Sequence, residues 1–228
     1  MKSFRGHLMI DHLKYTDTDP KHIETVMRQK EDPSTILGIC FMNGMTSSPL
    51  PSPHPNGSTE TILELNEVIQ RQAEATESEK QFTVAMNDVK VHYQMWADEA
   101  ERITGTKYGY DFMNKIATCG DGYVNYMKLI HARPRPYQLA PMFEKKLSIL
   151  TGDPRTGSYP SGHSYDAWLI ALILTMEHPD YRTEFMRIAN RVSTSRMIAG
   201  VHFPSDLAAG KRLAISALNI IVENDLIK

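Results

Sequence analysis

The sequence predicts an all-α protein, a helical bundle built around one central apolar helix. Three observations carry this reading. Apolar residues recur at intervals of three and four over long stretches, which lines one face of an α-helix. The run Ala167 to Leu174 is apolar without interruption, as in a helix surrounded by other helices. No stretch alternates apolar and polar residues between turn pairs, the mark of a strand.

The elements follow in order. The first 20 residues hold one short apolar run, Leu8-Met9-Ile10, closed by Asp11 and His12. A secretory leader needs about 7–15 apolar residues. The expectation is therefore no signal peptide and a cytoplasmic protein, or a periplasmic one if the chain is a trimmed mature form. Residues 1–45 read as an N-terminal segment of unassigned role, packed on the same domain as the rest. Thr46 to Thr59 carries four prolines among small polar residues and reads as a connector, since proline ends helices and central strands alike. A helix starts after it, capped by Ser58 or Thr59, with Ile62, Leu65 and Ile69 on one face.

Phe82, Met86, Val89, Tyr93, Trp96, Ala100 and Ile103 lie on one stripe, which predicts a single helix of about six turns. Phe112, Ile116, Cys119, Tyr123, Met127 and Ile130 predict another, with Gly120 and Gly122 as points of kinking or splitting and Lys128 near its end. Ser164 to Glu177 is the central helix. Phe185, Ile188, Ala189 and Val192 mark the next, and Leu207, Gly210, Ala214, Ala217, Leu218 and Ile221 the last.

Composition excludes several function classes. Among 228 residues there are 25 basic and 27 acidic side chains, a formal charge of −2, so no bulk positive charge marks a nucleic-acid polymer as partner. A spanning helix needs about 20 apolar residues, and no such run exists, so membrane insertion is not expected. Cys40 and Cys119 read as two buried thiols or as a pair. No His/Cys cluster has the spacing of a zinc site.

Reactive residue types gather in three segments. Lys128 to Pro136, KLIHARPRP, is basic and acid-free. Pro134 and Pro136 force an extended chain, so Arg135 stands on a stiff segment. Its guanidinium fork suits phosphate oxygens, although cations at a helix C-terminus are also a plain structural arrangement. Gly157 to Ser164, GSYPSGHS, precedes the central helix. A turn feeding a helix N-terminus presents unpaired N–H groups and a favourable dipole, an anion cradle. Gly162 allows close approach, Ser161 adds a hydroxyl, and His163 stands at the mouth. A simple serine cap with an exposed histidine is the plainer alternative. Ser195 to Asp206, SRMIAGVHFPSD, places His202 and Asp206 four apart. If the turn is compact, Asp206 or a nearby carbonyl accepts from one ring nitrogen and leaves the other unprotonated and nucleophilic. Alone, the pair also suits a capping or ion-pair role.

The three blocks in this order are Lys-x6-Arg-Pro, Pro-Ser-Gly-His and Ser-Arg-x5-His-x3-Asp. Together they resemble the type 2 phosphatidic acid phosphatase superfamily, which includes vanadium-dependent haloperoxidases and bacterial class A non-specific acid phosphatases. The last branch is the most similar, through the proline-rich Pro49 to Ser58 stretch and the Gly-Ser-Tyr-Pro-Ser-Gly-His run. The resemblance extends from about residue 48 to the C-terminus, so that 46–228 is the phosphatidic acid phosphatase type 2 domain, with that superfamily's helical-bundle fold.

The resemblance implies a phosphomonoesterase acting on small soluble phosphate esters, nucleotides among the candidates. Lys128, Arg135 and Arg196 bind phosphoryl oxygens together with Ser161 and the Gly162 N–H. His202 attacks phosphorus to form a phosphohistidine, Asp206 orients it, and His163 protonates the leaving group and then activates water. Three fixed cations suit the transition state. No metal or cofactor is required, and vanadate is expected to bind as a phosphate mimic. Opposite protonation of His202 and His163 implies a bell-shaped pH profile. Tyr137, His131, Arg133 and Tyr159 are candidates for reading the leaving group at the entrance. Self-association into a homo-oligomer is expected from the acid phosphatase branch. The alternatives are a vanadate-dependent haloperoxidase, since the same cradle serves both chemistries, and a non-catalytic anion-binding module.

Overall fold

Caps and prolines set the helix boundaries. The computed structural model describes residues 14, 18–42, 50–152 and 154–227, so the Leu8-Met9-Ile10 run and the first four residues of the Thr46 to Thr59 connector lie outside the described residues. Asp19 caps the first described helix, α1 (Pro20–Glu31), and α2 (Ile36–Met42) follows. Ser58 caps α3 (Thr59–Glu74) by accepting from the Thr61 N–H at 3.2 Å. Thr76 and Glu79 form a reciprocal capping box for α4 (Glu77–Ala85), and Asp88 caps α5 (Val89–Thr104). Next come α6 (Tyr110–His131) and the one-turn α7 (Pro136–Leu139), with Pro136 at its first position, where the missing N–H costs nothing. Ser161 caps α8 (Gly162–Glu177), and α9 (Arg182–Ile198) and α10 (Pro204–Asn224) complete the chain. No strand occurs among the described residues.

Helix α8 is the centre, as the uninterrupted apolar run predicts. It packs on α9, α10 and α6, and Leu169, Ile170 and Leu174 are wholly buried. Its layers interlock with Phe185 and Val192 of α9, Leu213 and Ala217 of α10, and Met113 and Ile116 of α6. Close approach needs small residues: a Cβ on Gly210 would stand 2.5 Å from the Ser161 carbonyl oxygen. From the N-terminal segment, Val26, Ile36, Leu37 and Cys40 enter the same core.

Three boundaries differ from expectation. The Phe82–Ile103 stripe is two helices, broken at 86–88. Asn87 and Asp88 are poor helix interiors, and the Asp88 carboxylate caps the new helix by accepting from the Lys90 N–H at 2.8 Å. In contrast, α6 runs unbroken through Gly120 and Gly122 and continues three residues past Lys128. The glycines serve packing instead: a Cβ on Gly120 would fall 1.8 Å from the Tyr165 hydroxyl, and one on Gly122 would fall 2.5 Å from the Gln29 side chain. Cys40 and Cys119 are both free thiols, the first buried and the second half-buried.

Candidate active site

The ends of five helices carry the polar residues of the site. Lys128 comes from the last turn of α6, Arg135 from the extended segment after it, and Ser161, Gly162 and His163 from the start of α8. Arg196 lies in the last turn of α9, and His202 and Asp206 flank the start of α10. The break between α4 and α5, unforeseen in the sequence, closes the fifth side. Where a helix stops, its last carbonyls lack intrahelical partners. The Thr83 carbonyl accepts from Arg196 Nη2 at 2.8 Å, and the Met86 carbonyl accepts from His163 Nε2 at 2.9 Å.

Arg135 and Lys128 are brought together by one loop. The Gly157 carbonyl accepts from Lys128 Nζ at 2.9 Å and from Arg135 Nη2 at 3.3 Å. Arg135 also donates from Nε to the Thr156 carbonyl at 3.0 Å and from Nη1 to the Val201 carbonyl at 2.9 Å. Its Nη1 reaches His202 Nε2 at 3.2 Å. A guanidinium donates and never accepts, so His202 Nε2 is the bare nitrogen and the ring proton sits on Nδ1. That atom faces Asp206 Oδ2 at 3.4 Å, an electrostatic contact without hydrogen-bond alignment.

Asp206 is held on both oxygens. Oδ2 accepts from the Phe203 N–H at 2.8 Å, and Oδ1 accepts from Arg133 Nη1 at 2.7 Å. Arg133 also pairs with Glu64 of α3 at 2.9 Å and stacks over the Phe203 ring at 4.0 Å. Glu64 in turn accepts from the Ser205 N–H at the start of α10 at 2.6 Å. Neither Arg133 nor Glu64 is an entrance residue. Buried Arg133 and half-buried Glu64 form a tier behind Asp206, which the expectation for Arg133 missed because its partners lie about 70 residues away in the chain. Tyr159 and His131 belong to the same interior: the Tyr159 hydroxyl donates to the Pro51 carbonyl at 2.7 Å, and the two rings meet edge to face at 4.9 Å. Tyr137 alone of the four is half-buried.

Gly162 behaves differently from the packing glycines. A Cβ there would meet only the Val124 side chain at 3.8 Å, an ordinary contact. The protein interior leaves that position room for a side chain.

Burial governs the electrostatics. The His202 ring is pushed down to about 3 by burial, with Arg135 and Lys128 adding to the effect and Asp206 opposing it. His163 is held well below the ordinary histidine value by burial and then by Arg196. Burial pushes the Asp206 carboxyl up, but Arg133, His202 and the Phe203 N–H outweigh it, so it stays below the usual carboxylate range. Burial also lowers Lys128 well below its ordinary value, with Arg135 adding to the effect. Arg196 falls to about 10 through burial and the neighbouring Arg135. Arg135 and Arg196 thus concentrate positive charge beside the two histidines.

Among the described residues, no helix is long and apolar enough to cross a membrane. The PAP2 superfamily model matches residues 113–224. A non-specific acid phosphatase of Providencia stuartii is 31% identical over 114 residues, 49% of this chain and 45% of that protein; the matched part thus spans under half of the relative. The crystal structure of the first bacterial vanadium-dependent iodoperoxidase superposes with a TM-score of 0.59 at 16% identity, over 78% of this chain and 52% of that one. A transmembrane PAP2-type phosphatidylglycerolphosphate phosphatase from Bacillus subtilis superposes at 0.50 with 17% identity, over 74% of this chain and 87% of that one. These two share the helical fold. Residues 113–224, the segment similar to the PAP2 superfamily, carry all eight expected site residues.

Proposed function

We propose that this protein is a phosphomonoesterase of the acid phosphatase type, acting on small soluble phosphate esters through a phosphohistidine at His202. One observation carries the reading: a buried neutral imidazole turns its bare Nε2 toward a guanidinium, with Lys128, Arg196 and the N-terminus of α8 around it. Such a nitrogen is nucleophilic, and the surrounding cations call for an oxyanion.

In the resting site every nitrogen of the Arg135 guanidinium has a partner. A phosphoryl oxygen entering the cradle takes the Nη1 hydrogen from His202 and uncovers its lone pair. Nε2 then attacks phosphorus as the ester P–O bond breaks. The leaving oxygen takes a proton from His163. With Nε2 of His163 committed to the Met86 carbonyl, Nδ1 is the nitrogen that gives and regains that proton. In the second half, water gives a proton to His163 Nδ1 while its oxygen attacks phosphorus, and the P–N bond returns its pair to His202. Asp206 balances the charge that His202 acquires in the intermediate. Arg135, Arg196 and Lys128 supply the charge stabilisation that a metal supplies elsewhere, so turnover is expected to survive a chelator. Vanadate is expected to inhibit from the same cradle.

The test is hydrolysis of p-nitrophenyl phosphate with radiolabelled acid-quench trapping. Wild type is expected to turn over and to carry label in acid-labile linkage. His202→Ala is expected to do neither, and full activity in it would overturn the assignment. Ranking nucleotides, sugar phosphates and diphosphates by kcat/KM then identifies the leaving group.

A further inference from the structure

Behind His163 stands a residue with no part in the chemistry above. His92 lies in the first turns of α5 and is 1% exposed. Its ring stacks on that of His163, with centroids 5.5 Å apart and planes inclined by 15°. Trp96, one turn on, donates from its indole Nε1 to His92 Nε2 at 3.2 Å. An indole N–H never accepts, so His92 Nε2 carries no proton and the single ring proton sits on Nδ1. A second proton would have to go on Nε2, directly against the indole N–H. The arrangement holds His92 neutral.

We infer that His92 is a positioning residue for the proton-transferring His163, presenting a permanently neutral aromatic face that steadies that ring in its cationic form. The inference rests on the phosphatase reading above. Groups facing His163 come from four directions: Arg196 of α9, His202 of the following turn, His92 of α5 and the Met86 carbonyl just past α4. Val124 of α6 adds an apolar contact beside Gly162. Arg196 repels a proton on His163, and so would a charged His92. A neutral, flat ring does the opposite: stacked imidazolium is attracted to an aromatic face as any cation is. It also fixes the ring plane while Met86 fixes the Nε2 direction, so that Nδ1 is aimed. The break at 86–88 matters here, because it lets the Met86 carbonyl and His92 reach the same histidine from two helices.

The test is a comparison of two esters in two variants. His92→Leu keeps the bulk and removes the flat face; His92→Phe keeps the face. The readout is the ratio of kcat/KM on p-nitrophenyl phosphate, whose leaving group needs little protonation, to that on glycerol 2-phosphate, whose leaving group needs a full proton. In His92→Leu the ratio is expected to widen about tenfold, and the pH optimum for the alkyl ester to move to lower pH. In His92→Phe the ratio is expected to stay within about threefold of wild type. Equal losses on both esters in His92→Leu, or the same widening in His92→Phe, overturn the role of His92. Failure of His92→Leu to fold leaves His92→Phe to decide by its ratio. A wild-type protein inactive on both esters overturns the phosphatase reading and this one with it, whereas an active wild type with an unchanged ratio in His92→Leu overturns only this one.

Discussion

Arg133 Nη1 lies 2.7 Å from Asp206 Oδ1, with both side chains almost wholly withdrawn from solvent. The carboxylate that faces His202 on one side is therefore anchored on the other by a buried charge behind it. Arg133 pairs as well with Glu64, which ties the start of α10 to α3.

Removing Arg133 is expected to cost stability more than any other single change at the site. Arg133→Ala leaves Asp206 charged, buried and without its main counter-ion, a loss of about 3–5 kcal/mol. Arg133→Lys keeps the charge but not the fork that spans Asp206, Ser205 and Glu64, and is expected to fall between. Urea unfolding at pH 7 measures both; a loss below about 1 kcal/mol in the alanine variant contradicts the anchoring role.

His163→Ala is expected to separate the two halves of the reaction. With p-nitrophenyl phosphate, the first half proceeds and phosphoenzyme accumulates, because the leaving group departs unaided. With an alkyl ester, the rate is expected to fall by about 10²–10⁴. Rapid-quench measurement of the labelled intermediate distinguishes this from a uniform loss.

Anion binding is expected to bring a proton with it. Burial and, after it, Arg196 hold His163 well below the ordinary histidine value. A dianion seated beside it reverses that balance. Sulfate, whose charge is constant over this range, is expected to bind more tightly as pH falls and to take up close to one proton per site. Calorimetry in buffers of different ionisation enthalpy reads the uptake directly, and a zero value rules out His163 as the acid.

The buried rings also set a pH dependence of stability. His92 and His202 are pushed down to about 3, and His163 well below its ordinary value, each chiefly by burial. In the unfolded chain they titrate near 6.5. Between 6.5 and the folded values the unfolded state binds more protons, so stability is full above pH 6.5 and declines as pH falls below it. Each ring contributes about 1.4 kcal/mol per pH unit in that window. Denaturant midpoints that are flat from pH 7 to pH 5 contradict the buried, neutral state of these rings.

Two glycines are expected to respond oppositely to alanine. Gly120→Ala drives a methyl into the Tyr165 ring, and the overlap costs about 1–3 kcal/mol although alanine favours a helix. Gly162→Ala meets only Val124 at ordinary contact distance and is expected to leave thermal stability unchanged while lowering affinity for phosphate and vanadate. Equal stability of the two variants contradicts the distinction between a glycine kept for packing and one kept for a ligand.

The all-α class and the central helix were legible because each rests on local pattern, and the eight candidate residues stood out for the same reason. Apolar spacing needs only neighbouring residues, and the three blocks carry their chemistry within a few positions of each other. Leu169, Ile170 and Leu174 announce burial by their run, and Ser58 and Ser161 announce helix starts by side-chain chemistry. Asn87 and Asp88 did mark the break, but the apolar stripe across them concealed it, since Met86 and Val89 continue the helical spacing past the cap.

What the sequence by itself determined was the order of the helices and the candidate side chains they bear, because helix propensity, capping and apolar periodicity act over short distances. Tertiary structure alone decided which nitrogen of His202 is bare, that Arg133 and Glu64 stand behind Asp206, and that the end of α4 receives Arg196 and His163. Those outcomes depend on hydrogen bonds and charges between residues up to 141 positions apart, and on how completely each group is taken out of water. Direction and desolvation of that kind come into being only when the helices pack.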